Sequence, residues 1–254
     1  VQPTVPAAPV PPVPLDAAAQ ATWERLFAAE LEAVAAPEWA SVPSVPDHDV
    51  PRLRSRAWYV VDVATGEVLT AKEADVPRPI ASLTKLASGL VWADSGADPE
   101  AALEMTQEDK DFLQVTRSRL RVGASYRAWD LFHSSLLSSD NRATVALARQ
   151  TGLPMEALTA AMERRAAALG LATARFGDPT GLDPRDVASP RDVARLLFAA
   201  DAHPVVGPVL REVEHRYRRV DRSVWLAARS SNRLKHMKHW DVGASKTGYT
   251  DLAG

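Results

Sequence analysis

Pro79-Ile80-Ala81-Ser82-Leu83-Thr84-Lys85-Leu86 decides the reading of this chain. Its apolar residues are spaced for a helix, and Pro79 is the kind of residue that opens a first turn. With Ser82 in that turn, Lys85 lies three residues on and shares its face. A hydroxyl and an amine then meet near the positive end of a helix dipole. Serine becomes a nucleophile once a base takes its proton, and lysine serves when burial or a second cation lowers its pKa. The ordinary alternative is a surface helix, because chance alone supplies about 0.4 such Ser-x-x-Lys pairs in this composition. The rest of the chain has to decide.

Downstream, Ala57 to Val63 is rich in strand formers, Ala64-Thr65-Gly66-Glu67 reads as a turn, and Val68 to Ala71 returns: a β-hairpin. The Ser82 helix is expected to run to about Ala93. Asp98 to Arg149 reads as mainly helical, with a turn at Val122-Gly123-Ala124. Within it, Trp129, Leu131, Phe132, Leu136 and Leu137 form an apolar helix, and a second helix runs from Arg142 to Gln150 with Gly152 after its end. Pro154 and Gly170 bracket another, and Ser189-Pro190 caps one through Phe198. Glu214 to Arg219, Ser223 to Ala228 and Val242 to Thr250 read as strands. The pattern is one antiparallel sheet with a helical region inserted between its halves, an α/β arrangement.

Upstream, Val1 to Pro14 alternates Pro with Val and Ala, as an extended tail does. Asp16 reads as the N-cap of a helix to about Ala36 that Pro37 ends. Ser41 to Pro51 is a second Pro-containing linker. Residues 1–51 are therefore expected to be tail, helix and linker, and 52–254 the folded domain.

The totals exclude several classes. A net charge of -2 gives no reason to expect nucleic acid or an anionic membrane as partner. There are no cysteines, hence no disulfide or thiolate chemistry. No apolar run is long enough for a membrane span. The chain opens on Val1 without a charged leader, as a processed exported protein would and as a cut piece of a longer chain would too. Of the 30 basic residues only six are Lys, and lysine is the cation that can be tuned into a base.

Two further motifs carry chemistry. Ser139-Asp140-Asn141 falls at a helix–loop–helix junction, where a sharp loop can fix polar side chains beside another site. It also reads as a plain N-cap, and Ser230-Ser231-Asn232 repeats its spacing. Lys246-Thr247-Gly248 is the more specific signal, expected by chance about 0.02 times. On a strand, Lys246 and Gly248 face one side and Thr247 the other. Such an edge offers amides, a cation and a hydroxyl to a peptide carrying a carboxylate, and Gly248 permits close approach.

Ser-x-x-Lys, Ser-x-Asn and Lys-Thr-Gly in this order are the signature of class A β-lactamases and penicillin-binding proteins. From about Trp58 to Gly254 the chain resembles the low-molecular-weight penicillin-binding proteins, serine D-alanyl-D-alanine peptidases. The flanks in Leu137 to Ala143 and Ser245 to Thr250 resemble the endopeptidase branch, and Asp178-Pro179-Thr180-Gly181-Leu182 also matches. The resemblance implies a β-lactamase/transpeptidase-like fold. It implies Ser82 as nucleophile, Lys85 as its base and Ser139 as proton relay. Asn141, Lys246, Thr247, Gly248 and Tyr249 would bind substrate, with Lys246 helping to keep Lys85 neutral. The Ser82 and Tyr249 amides would form the oxyanion hole. Peptidoglycan stem peptides and cross-links are the implied substrates, β-lactams the implied inhibitors, and the periplasm or another extracytoplasmic site the implied location. No metal or organic cofactor is required.

Members of that family continue through at least two more strands and a closing helix. The chain given stops at Gly254, so the expectation is a C-terminally truncated domain whose sheet lacks its middle. Two rivals share the fold: a serine β-lactamase, for which no deacylating carboxylate is assigned, and a non-catalytic peptidoglycan-binding protein. His236 and His239 lack a carboxylate companion and read as solvated surface, not metal ligands. The basic run from Arg211 to Arg222 reads as a solvated strand face.

Overall fold

The structure is a computed structural model describing residues 10–28, 53–111 and 116–253. It is built around one helix. Helix α2 (Lys85–Asp94) is apolar on nearly every side, so it is buried along most of its length. Packed around it are α1 (Ala17–Ala28), α3 (Ala128–Leu136), α4 (Asn141–Gln150), α5 (Met155–Ala168), α6 (Pro190–Ala202) and α7 (Val206–Arg211). Leu86, Leu90, Phe132, Leu136, Leu158 and Met162 belong to the single core this creates.

The capping signals hold. Asp16 Oδ1 accepts from the Ala19 amide at 2.9 Å, Asp140 Oδ1 from Ala143 at 3.1 Å, and Ser189 Oγ from Asp192 at 3.2 Å. Helix α1 is described only to Ala28, and its expected continuation, Pro37 and the 41–51 linker lie outside the described residues. Residues 1–9 of the expected tail also lie outside the described residues, and the described helix packs on the domain. Ala19, Trp23, Leu26 and Phe27 are core residues, with Val13 and Leu15 packed against them.

The expected hairpin is β1 (Trp58–Val61) with β2 (Val68–Lys72), antiparallel, and the later one is β7 (Glu214–Arg218) with β8 (Trp225–Arg229). Four expectations change. Pro79 does not open a helix: with Arg78 it forms the short strand β3, paired to β6 (Val187–Ala188). The stretch after Asp98 is not mainly helical, for Ala102–Glu104 (β4) pairs with Ser125–Arg127 (β5) ahead of α3. Burial alternates along Leu103, Glu104 and Met105, a period of two that the helical reading overlooked. Among the described residues the antiparallel strands form four separate two-stranded ladders instead of one sheet. Finally, 242–250 joins no ladder among the described residues and bends at Ala244.

Candidate active site

Ser82 stands in a 3-10 turn, Ala81–Thr84, that feeds directly into α2. The turn is fastened from both sides. The Ile80 amide donates to Asp186 O at 3.0 Å, and β3 holds the preceding residues to β6. Ala81 takes a φ of 49°, a left-handed conformation that costs a non-glycine residue about 1 kcal/mol or more. That strain aims the serine.

Lys85 is fully buried, and its Nζ has three partners: Ser82 Oγ at 2.9 Å, Asn141 Oδ1 at 2.6 Å and the Thr180 carbonyl at 2.6 Å. Protonated, the amine donates to all three oxygens; when it is neutral, two N–H bonds suffice for Asn141 and Thr180 and the lone pair is left for the Ser82 hydroxyl proton. Burial lowers the Lys85 pKa from 10.5 to about 8, against the opposing pull of Asp178, Asp140 and Asp186. About a tenth of the amine is thus neutral at pH 7, enough for a working base.

The second motif arrives through α3 and α4. Ser139 occupies the junction with a φ of 57°, and Asp140 caps α4 while accepting from Ser118 Oγ. Asn141, the first residue of α4, gives Oδ1 to Lys85 and donates from Nδ2 to Thr116 Oγ1 at 2.9 Å. Its visible work is to orient the base, and holding a substrate amide would require exchange of the Thr116 contact.

The third motif closes the cleft. Lys246 Nζ donates to Ser139 Oγ at 2.9 Å and to Thr247 O at 2.7 Å. Burial first, and then the charge of Lys85, hold its pKa well below 10.5. The electrostatic expectation is therefore reassigned: burial depresses Lys85, and Lys246 is the amine on which the neighbouring cation acts. Gly248 is also placed differently from expectation. A Cβ there would meet Ile80 O at 2.9 Å and Leu83 N at 3.3 Å, so its bareness admits the nucleophile's own turn. Thr247 Oγ1 pairs with Ser231 Oγ, and Tyr249 is 73% exposed at the rim.

The hydrogen bonds join Ser82, Lys85 and Asn141, and pair Ser139 with Lys246, while Gly248 lies against the Ser82 turn and Thr247 and Tyr249 turn elsewhere. The motifs alone gave no role to several others. Thr180 supplies a lysine acceptor. Asp178 Oδ1 shapes its loop by accepting from the Thr180 and Gly181 amides at 3.0 and 2.7 Å. Asn232 Nδ2 donates to Ser245 Oγ at 2.8 Å, so the repeated Ser-x-Asn spacing braces the third motif and stays away from Lys85. The Asp-Pro-Thr-Gly loop was visible in sequence, but its carbonyl's partner was not. His236 and His239 are exposed.

A serine hydroxyl against a buried lysine amine, with a second lysine–serine pair nearby, is an arrangement chemically suited to serine-type acyl transfer. The sequence profile of the D-alanyl-D-alanine carboxypeptidase family matches residues 44–254, and the chain belongs to that family. It is 30% identical over 204 residues to the D-alanyl-D-alanine endopeptidase of Escherichia coli K12, covering 80% of this chain and 66% of that protein. With the corresponding Pseudomonas aeruginosa endopeptidase it shares 33% over 202 residues, covering 80% and 65%. The chain thus spans just under two thirds of the length of these relatives. The D-alanyl-D-alanine carboxypeptidase of Mycobacterium tuberculosis superposes with a TM-score of 0.66 at 25% identity, covering 86% of this chain and 79% of the other. A mutant DD-transpeptidase of Streptomyces K15 superposes at 0.72 and 21% identity, covering 80% and 84%, a likeness of fold. The family and fold class read from the three motifs are borne out.

Proposed function

We propose that this protein is a serine D-alanyl-D-alanine peptidase that acts on peptidoglycan peptides through an acyl-enzyme at Ser82. The observation that carries the reading is the 2.9 Å contact between Ser82 Oγ and a fully buried Lys85 amine whose pKa is lowered to about 8. Ser82 Oγ attacks the D-Ala carbonyl carbon while Lys85 takes its proton. The Ser82 and Tyr249 amides serve the oxyanion, the collapse of the tetrahedral intermediate expels the amine, and Ser139, linked to Lys246, returns a proton to it. Water then releases the acyl group. Lys246 and Thr247 face a substrate carboxylate once Thr247 leaves Ser231. A β-lactam enters the same sequence and acylates Ser82.

Within this class we favour cleavage of cross-links, the endopeptidase activity, over trimming of terminal D-Ala. Supporting this are the residues flanking Ser139 and Lys246 and the names of the Escherichia coli and Pseudomonas aeruginosa relatives. From such substrates we infer a location in the periplasm or elsewhere outside the cytoplasm. Labelling of the 254-residue chain with a fluorescent penicillin tests the reading. The expected result is covalent labelling that Ser82→Ala abolishes. A folded chain that stays unlabelled would favour a non-catalytic wall-binding role.

A further inference from the structure

Away from the serine cleft, His133 on α3, Glu212 after α7 and His215 on β7 bring one ligating atom each to within 4.8 Å of one another. The hydrogen-bond chemistry there is unbalanced. His133 is 1% exposed, and its Nδ1 lies 2.8 Å from the Trp129 carbonyl. A carbonyl only accepts, so Nδ1 carries the ring proton and a neutral His133 presents a bare lone pair at Nε2. That lone pair faces Glu212 Oε1 at 3.4 Å, and a carboxylate is also an acceptor. Two acceptors face each other, and only a positive charge between them reconciles the pair.

His215 repeats the pattern. Its Nε2 lies 2.8 Å from Asp130 Oδ1, which keeps the proton on that nitrogen and leaves the lone pair on Nδ1. The two imidazoles stack with centroids 3.8 Å apart and planes 20° apart; because ring lone pairs lie in the ring planes, a shared ion requires the His215 ring to tilt out of this stack. Each histidine therefore has one nitrogen spent on an outer acceptor, the arrangement that orients histidine ligands in metal sites. Ligands at about 2.0–2.1 Å from a tetrahedral zinc lie roughly 3.3 Å from each other, close to the His133–Glu212 spacing.

We propose that His133, Glu212 and His215 form a binding site for a divalent transition-metal ion of the zinc class, with water as fourth ligand. The nearby cations leave it open. Arg127 is committed to Asp130 and Glu100, and Lys235 Nζ donates to the backbone carbonyls of Leu210 and Glu212. The ion would fasten β7 to α3. The same hairpin reaches the serine site, where the Arg229 amide donates to Ser138 Oγ at 3.0 Å. The proposed ion is a structural clamp and takes no part in acyl transfer.

Isothermal titration of the chelator-treated 254-residue chain with zinc chloride at pH 7.5, alongside thermal melts, tests this. The expected result is one saturable site, a rise in Tm with zinc, and binding at least tenfold weaker in Glu212→Gln and in His215→Gln. The double variant His236→Gln/His239→Gln should bind as the parent does. Cobalt should give the absorption of a four-coordinate ion in the parent and lose it in Glu212→Gln. Absence of saturable zinc binding by the folded parent, or binding untouched by both Glu212→Gln and His215→Gln, overturns the proposal and leaves a proton on His133 as the balancing charge.

Discussion

Gly181 lies so close to Ala81 that a Cβ added to it would sit 1.9 Å from the Ala81 carbonyl oxygen and 2.8 Å from the Ser82 nitrogen. The loop that supplies Lys85 with its Thr180 acceptor is thereby pressed against the nucleophile's own backbone. Both obstacles are backbone atoms and cannot swing aside. Gly181 also holds a φ of 88°. Gly181→Ala should cost about 3 kcal/mol or more in urea unfolding and slow penicillin labelling together. Gly152→Ala has a φ of 74° with nothing within 4 Å, so only the conformational cost of about 1 kcal/mol is expected. Equal losses in the two variants would mean that contact with the Ser82 turn contributes nothing.

Lys85 must be neutral to act as a base, so the sign of the pH dependence is fixed. Its pKa is lowered to about 8, and acylation of Ser82 should rise with pH up to that value. Well below it the rate should fall tenfold per pH unit. Stopped-flow labelling between pH 5.5 and 9 reads the midpoint directly. Lys85→Arg keeps the charge but cannot release a proton, and should lose 10²–10⁴-fold in rate. A flat profile would assign the base elsewhere.

The parts of this site that were legible in sequence are those fixed by local spacing. Ser82 and Lys85 lie three apart on one turn, and Ser139-Asp140-Asn141 combines a cap with two functional groups. Illegible were the contacts made across the chain, such as Thr180 O on Lys85 and Ser231 against Thr247, which depend on how loops fold over α2. The fold divided likewise. Helices with caps and the two hairpins could be read from pattern, because each is stabilised by near neighbours. The β3–β6 and β4–β5 pairs could not, since strands of two or three residues carry almost no periodic signal. Lys246 and Gly248 could be singled out by residue type although 242–250 joins no ladder among the described residues. Residue chemistry can be read one position at a time, whereas a strand exists only with a partner.

Asp186 presents a second titration with the opposite sign. Its Oδ1 accepts from the Gly177 amide at 2.8 Å, but Oδ2 is buried and meets no donor. Burial and the adjacent Asp178 push its pKa up to about 8, so at neutral pH it is mainly the protonated acid, with a hydrogen to give Asp178. Because the folded pKa exceeds the ordinary 3.8, this group's stabilisation is complete below about pH 4 and is lost as pH rises to 8. The change is on the order of a few kcal/mol. Asp186→Asn imitates the neutral acid, so its Tm should fall less between pH 5 and 8 than that of the parent. Parallel Tm curves would show that Asp186 is ionised in the folded state.

Helix α1 decides where the folded unit begins. The proline-rich surroundings suggest a boundary near residue 52, yet Trp23 is 2% exposed and stacks on Phe27 with centroids 3.8 Å apart. Arg164 of α5 reaches across to donate to Leu26 O at 3.1 Å and Phe27 O at 2.9 Å, taking up carbonyls near the end of the described helix. Burial of a tryptophan of this kind typically contributes enough that Trp23→Ala should cost about 3–5 kcal/mol. Removal of residues 1–52 should cost at least as much, because it uncovers the apolar faces of α2 and α5 that α1 touches. Differential scanning calorimetry of both variants reads the effect. Since α1 contributes no group to the Ser82 cleft, penicillin labelling at low temperature should be little changed wherever the variant remains folded. An unaltered Tm in the deletion would restore the boundary at residue 52 and make α1 an appendage that rests on the core without supporting it.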